Sequence, residues 1–138
     1  MYNPRVVKKS AEATTLTVTA GEAIAVNDFV TILTDGQAEV TAAGEGIFGI
    51  ALESASAAGK KIKVLRAHPG MVVMMDNDNV GTTFASSHVG ARFDIAGASG
   101  AQRVDTSTVA QDGTDAGQLF CVEFNPQGYG FDGDTSIG

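Results

Sequence analysis

The sequence predicts an all-β fold: a compact β-barrel or β-sandwich of short antiparallel strands, with an extended arm at each end of the chain. Short apolar runs alternate with turns of small residues, most clearly between residues 47 and 75. Glycine accounts for 17 of the 138 residues, and charged residues make up 18%. Frequent valine, threonine and glycine favour strands and tight turns over helices.

The chain is long enough for one domain with its own core and short for two, at 138 residues. Residues 1–13 are polar and basic, which predicts an N-terminal arm. Residues 14–124 carry the strand-like patterns and form the predicted β domain. Residues 125–138 are glycine-rich and acidic, and because ordering glycine is entropically costly, we predict a C-terminal tail there.

The first strands follow from alternation. Residues 14–20 alternate threonine with apolar residues, which places Leu16 and Val18 on one face of a strand. Residues 29–33 form the next apolar run, and Asp35-Gly36 follows it. Because an Asp-Gly pair readily adopts positive φ at both positions, we predict a type I′ hairpin there.

A second hairpin is predicted from residues 47–53 and 61–67, which flank Ala58-Gly59. The run at 47–53 is apolar on both faces, and so is the run at 71–75. A strand of this kind lies in the centre of a core or is sealed by another subunit.

The second half of the chain is less regular. Residues 82–90 fit one helical turn or a loop, residues 92–95 fit a strand, and residues 103–109 fit an edge strand. The last predicted strand spans residues 119–124. Three of its apolar side chains share one face: Phe120, Val122 and Phe124.

Charge and cysteine content exclude several classes. The net charge is −7, and all of it arises in residues 76–138. An acidic chain of this kind is unsuited to nucleic acid, because phosphate binding needs clustered lysine and arginine. Apolar runs are too short for a membrane span, and the start of the chain has no apolar leader, so we expect neither membrane nor secretion. The single Cys121 excludes an intrachain disulfide and fits a buried position.

Motifs for chemistry are weak. Residues 44–49 match G-x-G-x-x-G, but a strand rather than a helix follows, so no nucleotide site is expected. Asp76 and Asp78 leave two alternatives open, a solvated turn and a weak cation site, since the closing glutamate of a calcium loop is missing. Ser86, Ser87, His88 and Asp94 supply the residue types of a triad without its motif. We therefore predict no enzyme, no cofactor and no metal.

Two segments carry a resemblance: AGEAIAVNDFVTI at 20–32 and GIFGIALESASAAGKKIKVLRAHPGMV at 46–72. In the second, a G-x-A-x-x-x-A-x-A-x-G pattern precedes a basic strand. Its positions are Gly49, Ala51, Ala55, Ala57 and Gly59. Together these segments resemble the capsid decoration, or cement, proteins of bacteriophages.

The resemblance implies a small β-rich structural protein, made in the host cytoplasm and bound outside the phage head. It implies a homotrimer whose partner is the major capsid protein. The arm is the candidate for capsid contact, by adding a strand to the shell protein. Its residues are Tyr2, Asn3, Pro4, Arg5, Lys8 and Lys9.

Candidate subunit contacts come from the apolar runs and from the basic strand between them. These candidates are Ile47, Phe48, Lys61, Lys63, Arg66, Met71, Met74 and Met75. The strand lysines alternatively protect a sheet edge. Two other functions remain open: a different virion β module (tail tube, fibre base or head closure) and a small ligand-binding β domain.

Overall fold

A computed structural model of the chain describes residues 4–8, 14–68, 71–78, 85–110 and 117–122. Over these residues the fold is all-β, with ten strands and no α-helix. One 3-10 turn, at Ser86–His88, lies in the segment 82–90 that fitted either a helical turn or a loop. Every paired strand is antiparallel, as the sequence predicted.

The largest sheet has five strands, in the order β2-β6-β5-β3-β4. Its strands are β2 (Thr15–Thr19), β3 (Phe29–Ile32), β4 (Ala38–Val40), β5 (Gly49–Ala51) and β6 (Lys61–Arg66). The two predicted hairpins are therefore confirmed as the pairs β3–β4 and β5–β6. A parallel bridge joins Ala20, just after β2, to Ala38 in β4. This bridge is isolated, and the described strands do not close into a barrel.

The β3–β4 turn differs from the predicted type I′ turn. Gly36 has a φ of 79°. Among the described non-glycine residues only Asn27 has a positive φ. Asp35 therefore has negative φ, which a type I′ turn does not allow. The Gly36 N–H donates to the Leu33 carbonyl, and the Leu33 N–H donates to the Gln37 carbonyl. This pattern is a three-residue loop that ends on a left-handed glycine.

Two smaller sheets complete the described fold. One has three strands with β8 at its centre, and the other has two. The strands are β1 (Arg5–Lys8), β7 (Val72–Met74), β8 (Arg92–Ala96), β9 (Arg103–Ala110) and β10 (Leu119–Phe120). β1 pairs with β7, while β9 and β10 flank β8. β9 is thus an edge strand of its sheet, as predicted.

Strand β5 lies between two apolar clusters, which explains why its sequence is apolar on both faces. Ile50 packs in the cluster that includes Phe93, Ile95 and Met75. Ala51 packs in the other cluster, with Ile62 and other residues of the large sheet. Since successive side chains of a strand point to opposite faces, the chain itself covers both faces of β5.

Polar side chains fix the β8–β9 turn against the large sheet. The Gln102 side chain is fully buried, and its Oε1 accepts the Phe29 N–H at 2.6 Å. Its Nε2 donates to the Thr41 carbonyl at 3.2 Å. Asp28, also fully buried, accepts from the Ser99 hydroxyl at 2.6 Å and from the Gly100 N–H at 2.7 Å. These bonds join segments more than 60 residues apart in the chain.

The described part of the predicted arm is folded onto its own chain. Arg5–Lys8 is strand β1, with Arg5 opposite Met74 and Val6 opposite Val73 in β7. Pro4 is buried. The predicted boundary between arm and domain therefore differs from the structure, because β1 completes the β7 sheet. The predicted tail, residues 125–138, lies outside the described residues.

Candidate functional site

The predicted capsid-contact residues are only partly described. Pro4 is buried, and Arg5 and Lys8 belong to β1, paired with β7. Tyr2, Asn3 and Lys9 lie outside the described residues. The pairing with β7 occupies one edge of β1, so residues 5–8 belong to the fold of their own chain. The assignment of the arm to capsid contact stays a prediction.

The predicted subunit contacts fall into separate places. Phe48 and Arg66 meet, with the guanidinium carbon of Arg66 5.9 Å from the ring centroid of Phe48. Lys61 and Lys63 are exposed on β6. Met75 is only 1% exposed and belongs to the core, so its assignment to a subunit contact is corrected: the fold of the single chain already buries it.

Ile47 and Met71, by contrast, line an open groove with a volume of about 730 Å³. Most of the wall is apolar, and it includes side chains from β3, β7, β8 and β10. Phe120 and Val122 stand at this groove with 52% and 55% of their surface exposed. The half-buried Met74 of β7 lies opposite Arg5 in the neighbouring β1.

The last predicted strand, residues 119–124, is found as a strand only in β10 (Leu119–Phe120). Phe124 lies outside the described residues. Cys121 is 3% exposed, which confirms its predicted burial. Phe120 and Val122 share the opposite face, as alternation requires, but that face is open. The Arg92 guanidinium carbon lies 5.4 Å from the ring centroid of Phe120 and covers part of it. Two large apolar residues are thus available for contact with another molecule.

Gln118 is one of the polar residues that line the groove. Its Nε2 donates to the carbonyls of Ala42 and Glu45, at 2.8 and 2.5 Å, and its Oε1 accepts the Ile95 N–H at 2.8 Å. The side chain therefore connects three segments of the chain. Nothing in the local pattern of the sequence marks it, because its partners lie 23 to 76 residues away.

The glycines of the G-x-G-x-x-G match serve the fold. Gly44 has a φ of 80° and shapes the turn before β5. Gly49 lies inside β5, where an added Cβ would collide with the carbonyl oxygen of Leu65. No helix follows the motif, so the arrangement needed to bind a pyrophosphate is not formed.

Asp76 and Asn77 do not form the solvated turn that was one interpretation of this segment. They are 6% and 7% exposed, and Asn77 makes a parallel bridge with Val104. The Asp78 carboxylate accepts from the Thr106 N–H and hydroxyl, at 3.1 and 2.9 Å. Over the described residues, no three histidine, cysteine, aspartate or glutamate side chains are grouped so that they could hold a metal ion.

The contacts of His88 are those of a buried residue that stabilises the fold. It is 8% exposed, its Nδ1 accepts the Ala85 N–H at 3.1 Å, and its ring meets Phe93 edge-on with centroids 5.9 Å apart. Asp94 donates its N–H to the Thr108 hydroxyl at 2.8 Å. These contacts explain both residues through packing and strand structure, and the prediction that the chain is not an enzyme stays a prediction.

Acidic side chains gather at the β4 edge of the large sheet. Glu22 accepts the Val40 N–H at 2.7 Å, and Glu45 accepts the Ala42 N–H at 2.8 Å. Desolvation raises the pKa of Glu39 above 4.5, and the carboxylates of Glu22, Asp35 and Glu45 raise it further. Negative charge at this edge contrasts with the lysines on β6.

No helix in the described parts of the chain is long and apolar enough to cross a membrane. Comparison of the chain with protein-family models, with curated proteins and with solved structures finds no match.

Proposed function

We propose that this chain is a structural protein of a bacteriophage head, which binds the outer surface of the capsid and stabilises the shell. The resemblance of residues 20–32 and 46–72 to decoration proteins supports the proposal. The all-β fold is compatible with it, since such a protein needs a stable module with contact surfaces and no catalytic residues. On this proposal the protein is a homotrimer and its partner is the major capsid protein.

The observation that carries the proposal is the apolar groove beside β7 and β10. A monomeric protein rarely leaves a large apolar patch open, and such patches commonly mark contacts with other proteins. Ile47 and Met71, both predicted contacts, lie in this groove together with the exposed Phe120 and Val122. We assign the groove to the contact between subunits, and we propose that the sheets stack as a sandwich around the two apolar clusters.

The test is binding to expanded capsid shells that lack the protein, measured by co-sedimentation, with light scattering to give the oligomeric mass. We expect a trimer in solution and saturable binding to the shells. The variant Phe120→Asp should dissociate the trimer, because a carboxylate in an apolar contact loses its hydration. The matched control is Ser107→Asp, at an exposed position of β9. A strict monomer that ignores the shells would refute the proposal.

A second candidate, the ligand-binding β domain, is favoured by the size of the groove. Small-molecule sites are typically apolar clefts of roughly 300–1,000 Å³ with a few polar groups. An apolar fluorescent dye that binds the wild type one to one, and that Phe120→Asp does not bind, would support a pocket. Loss of dye binding on trimer formation would instead assign the groove to the subunit contact.

A further inference from the structure

The two edges of the large sheet differ in how far the chain covers them. At the β4 edge, the Gly21 N–H donates to the Ala38 carbonyl, and the Glu22 carboxylate accepts the Val40 N–H. The chain after β2 therefore covers β4. At the other edge, β2 pairs only with β6 among the described strands.

The direction of the free backbone groups on β2 follows from its register. The Arg66 N–H donates to the Thr14 carbonyl, and the Ala20 N–H donates to the Lys60 carbonyl. Backbone groups alternate between the two sides of an antiparallel strand, so the even-numbered residues bond β6. The N–H and C=O groups of Thr15, Thr17 and Thr19 therefore point away from β6, to the side on which the Gly21 N–H reaches the Ala38 carbonyl of β4 at the end of the strand. Thr19 lies at that junction, whereas Thr15 and Thr17 are exposed and form the open part of the edge.

Natural sheets protect such an edge with charges, proline, bulges or very short strands. β2 has the sequence TLTVT, which contains neither charge nor proline, and its register with β6 is continuous over all five pairs. Its outer backbone groups are thus arranged to accept another strand. At the end of β2 the Ala20–Ala38 bridge joins this edge to β4, so the part of the edge that can accept a strand is at Thr15 and Thr17.

The side chains around β2 indicate which side chains a strand added at this edge should carry. Thr17 lies opposite Lys63 and Thr19 opposite Lys61, so both lysines stand on the threonine face. Both lysines are exposed, and the Glu53 carboxylate accepts the Lys63 N–H at 2.8 Å. On the other face, Leu16 is 36% exposed beside the half-buried Val18, which packs on the core.

We propose that the β2 edge accepts an extended strand of the partner shell protein, with acidic and apolar side chains in alternation. Its apolar residues would cover Leu16 and Val18. Its carboxylates would lie on the face of Lys61 and Lys63, roughly 10 Å from β6, which is two strand spacings. A lysine side chain leaning over the intervening threonine reaches that far. This inference rests on the proposed function for the identity of the partner.

A second copy of β2 fits the edge less well. Two TLTVT strands would pair, but they bring no carboxylate to the lysines. Two further lysines would instead approach from the other sheet. Charge complementarity therefore selects an acidic strand over self-pairing.

The central test replaces Thr17 by proline, with Thr17→Ala as the matched control. Proline removes an N–H that points outward, so the ladder to β6 keeps its hydrogen bonds. The probe is a seven-residue peptide that alternates glutamate and valine, with a lysine–valine peptide as its control. Binding is measured by fluorescence anisotropy, and circular dichroism checks that each variant is folded.

We expect the acidic peptide to bind wild type and Thr17→Ala equally, and Thr17→Pro at least tenfold more weakly. The double variant Lys61→Glu/Lys63→Glu should also bind the acidic peptide at least tenfold more weakly than wild type does. The lysine–valine peptide should bind wild type at least tenfold more weakly than the acidic peptide does. Equal binding by folded Thr17→Pro would overturn the edge as the site. Equal binding of both peptides would overturn the proposed partner chemistry.

The same variants on capsid shells separate this inference from the proposed function. If wild type fails to bind shells but the peptide still depends on Thr17 and the lysines, the capsid role fails and the edge site stands. If shells bind Thr17→Pro as well as wild type, the capsid role stands and the edge is not the contact. A dimer of wild type that Thr17→Pro dissociates would show that a second copy occupies the edge, which overturns the proposal.

Discussion

Replacing Gln102 by leucine should destabilise the fold by uncoupling the β8–β9 turn from the large sheet. The buried Gln102 amide satisfies the N–H of Phe29 and the carbonyl of Thr41. Leucine has no polar side-chain atoms, so both backbone groups lose their partner. The main perturbation is therefore to hydrogen bonding, and any strain from the branched side chain adds to the loss of stability.

The magnitude follows from the two orphaned groups. A buried donor or acceptor without a partner costs about 1–3 kcal/mol, and burying leucine in place of an amide returns part of this. We therefore expect a loss of about 2–4 kcal/mol in the free energy of unfolding. For a chain of this length, that corresponds to a fall in Tm of roughly 10 °C.

The assay is urea unfolding followed by circular dichroism, with amide hydrogen exchange at Phe29 as the local readout. The matched control is Gln37→Leu in the β3–β4 turn, the same chemical change at a half-buried glutamine. Its effect should stay within about 0.5 kcal/mol. If Gln102→Leu unfolds at the wild-type urea concentration, or if Phe29 keeps its protection, the linking role of Gln102 is refuted.

Three further predictions concern single positions. Gly49→Ala should lower the free energy of unfolding by about 2–4 kcal/mol, because the added Cβ collides with the Leu65 carbonyl. Gly46→Ala should unfold like wild type, because nothing lies within 4 Å of a Cβ at that position. Asp28→Asn should lower the unfolding free energy by about 1–3 kcal/mol, since an amide NH₂ then faces a donor, and equal Tm values would contradict this. Glu39→Gln should raise Tm at neutral pH and leave Tm unchanged well below pH 4.5. The raised pKa means that ionised Glu39 destabilises the folded state, and this loss of stability grows as pH rises. A Tm difference that is independent of pH would exclude this cause.

Much of the local structure was predictable from the sequence. Alternating residues gave β2, and the glycine after Asp35 marked the first hairpin. The type I′ assignment was wrong because the loop has three residues, so that Gly36 alone needs positive φ. Turn type depends on where the flanking strands begin to pair, and composition does not show that register.

The candidate contacts were predictable in part. Apolar residues on both faces of β5 were correctly assigned a covered position, but the sequence left open whether the chain or another subunit covers them. The structure covers them within the chain, and Met75 is buried in the same way. Phe120 and Val122 were placed on a common face, while the structure shows that this face is open.

The sequence by itself determined the all-β class, the hairpins and the burial of Cys121, because alternation and turn chemistry act between near neighbours. The tertiary structure alone decided which sheet edge is covered, which glutamines join the sheets and which apolar faces meet. These features depend on residues tens of positions apart, whose approach is set by packing of the whole chain. For that reason the groove and the open β2 edge emerge only from the fold, although the TLTVT pattern is visible in the sequence.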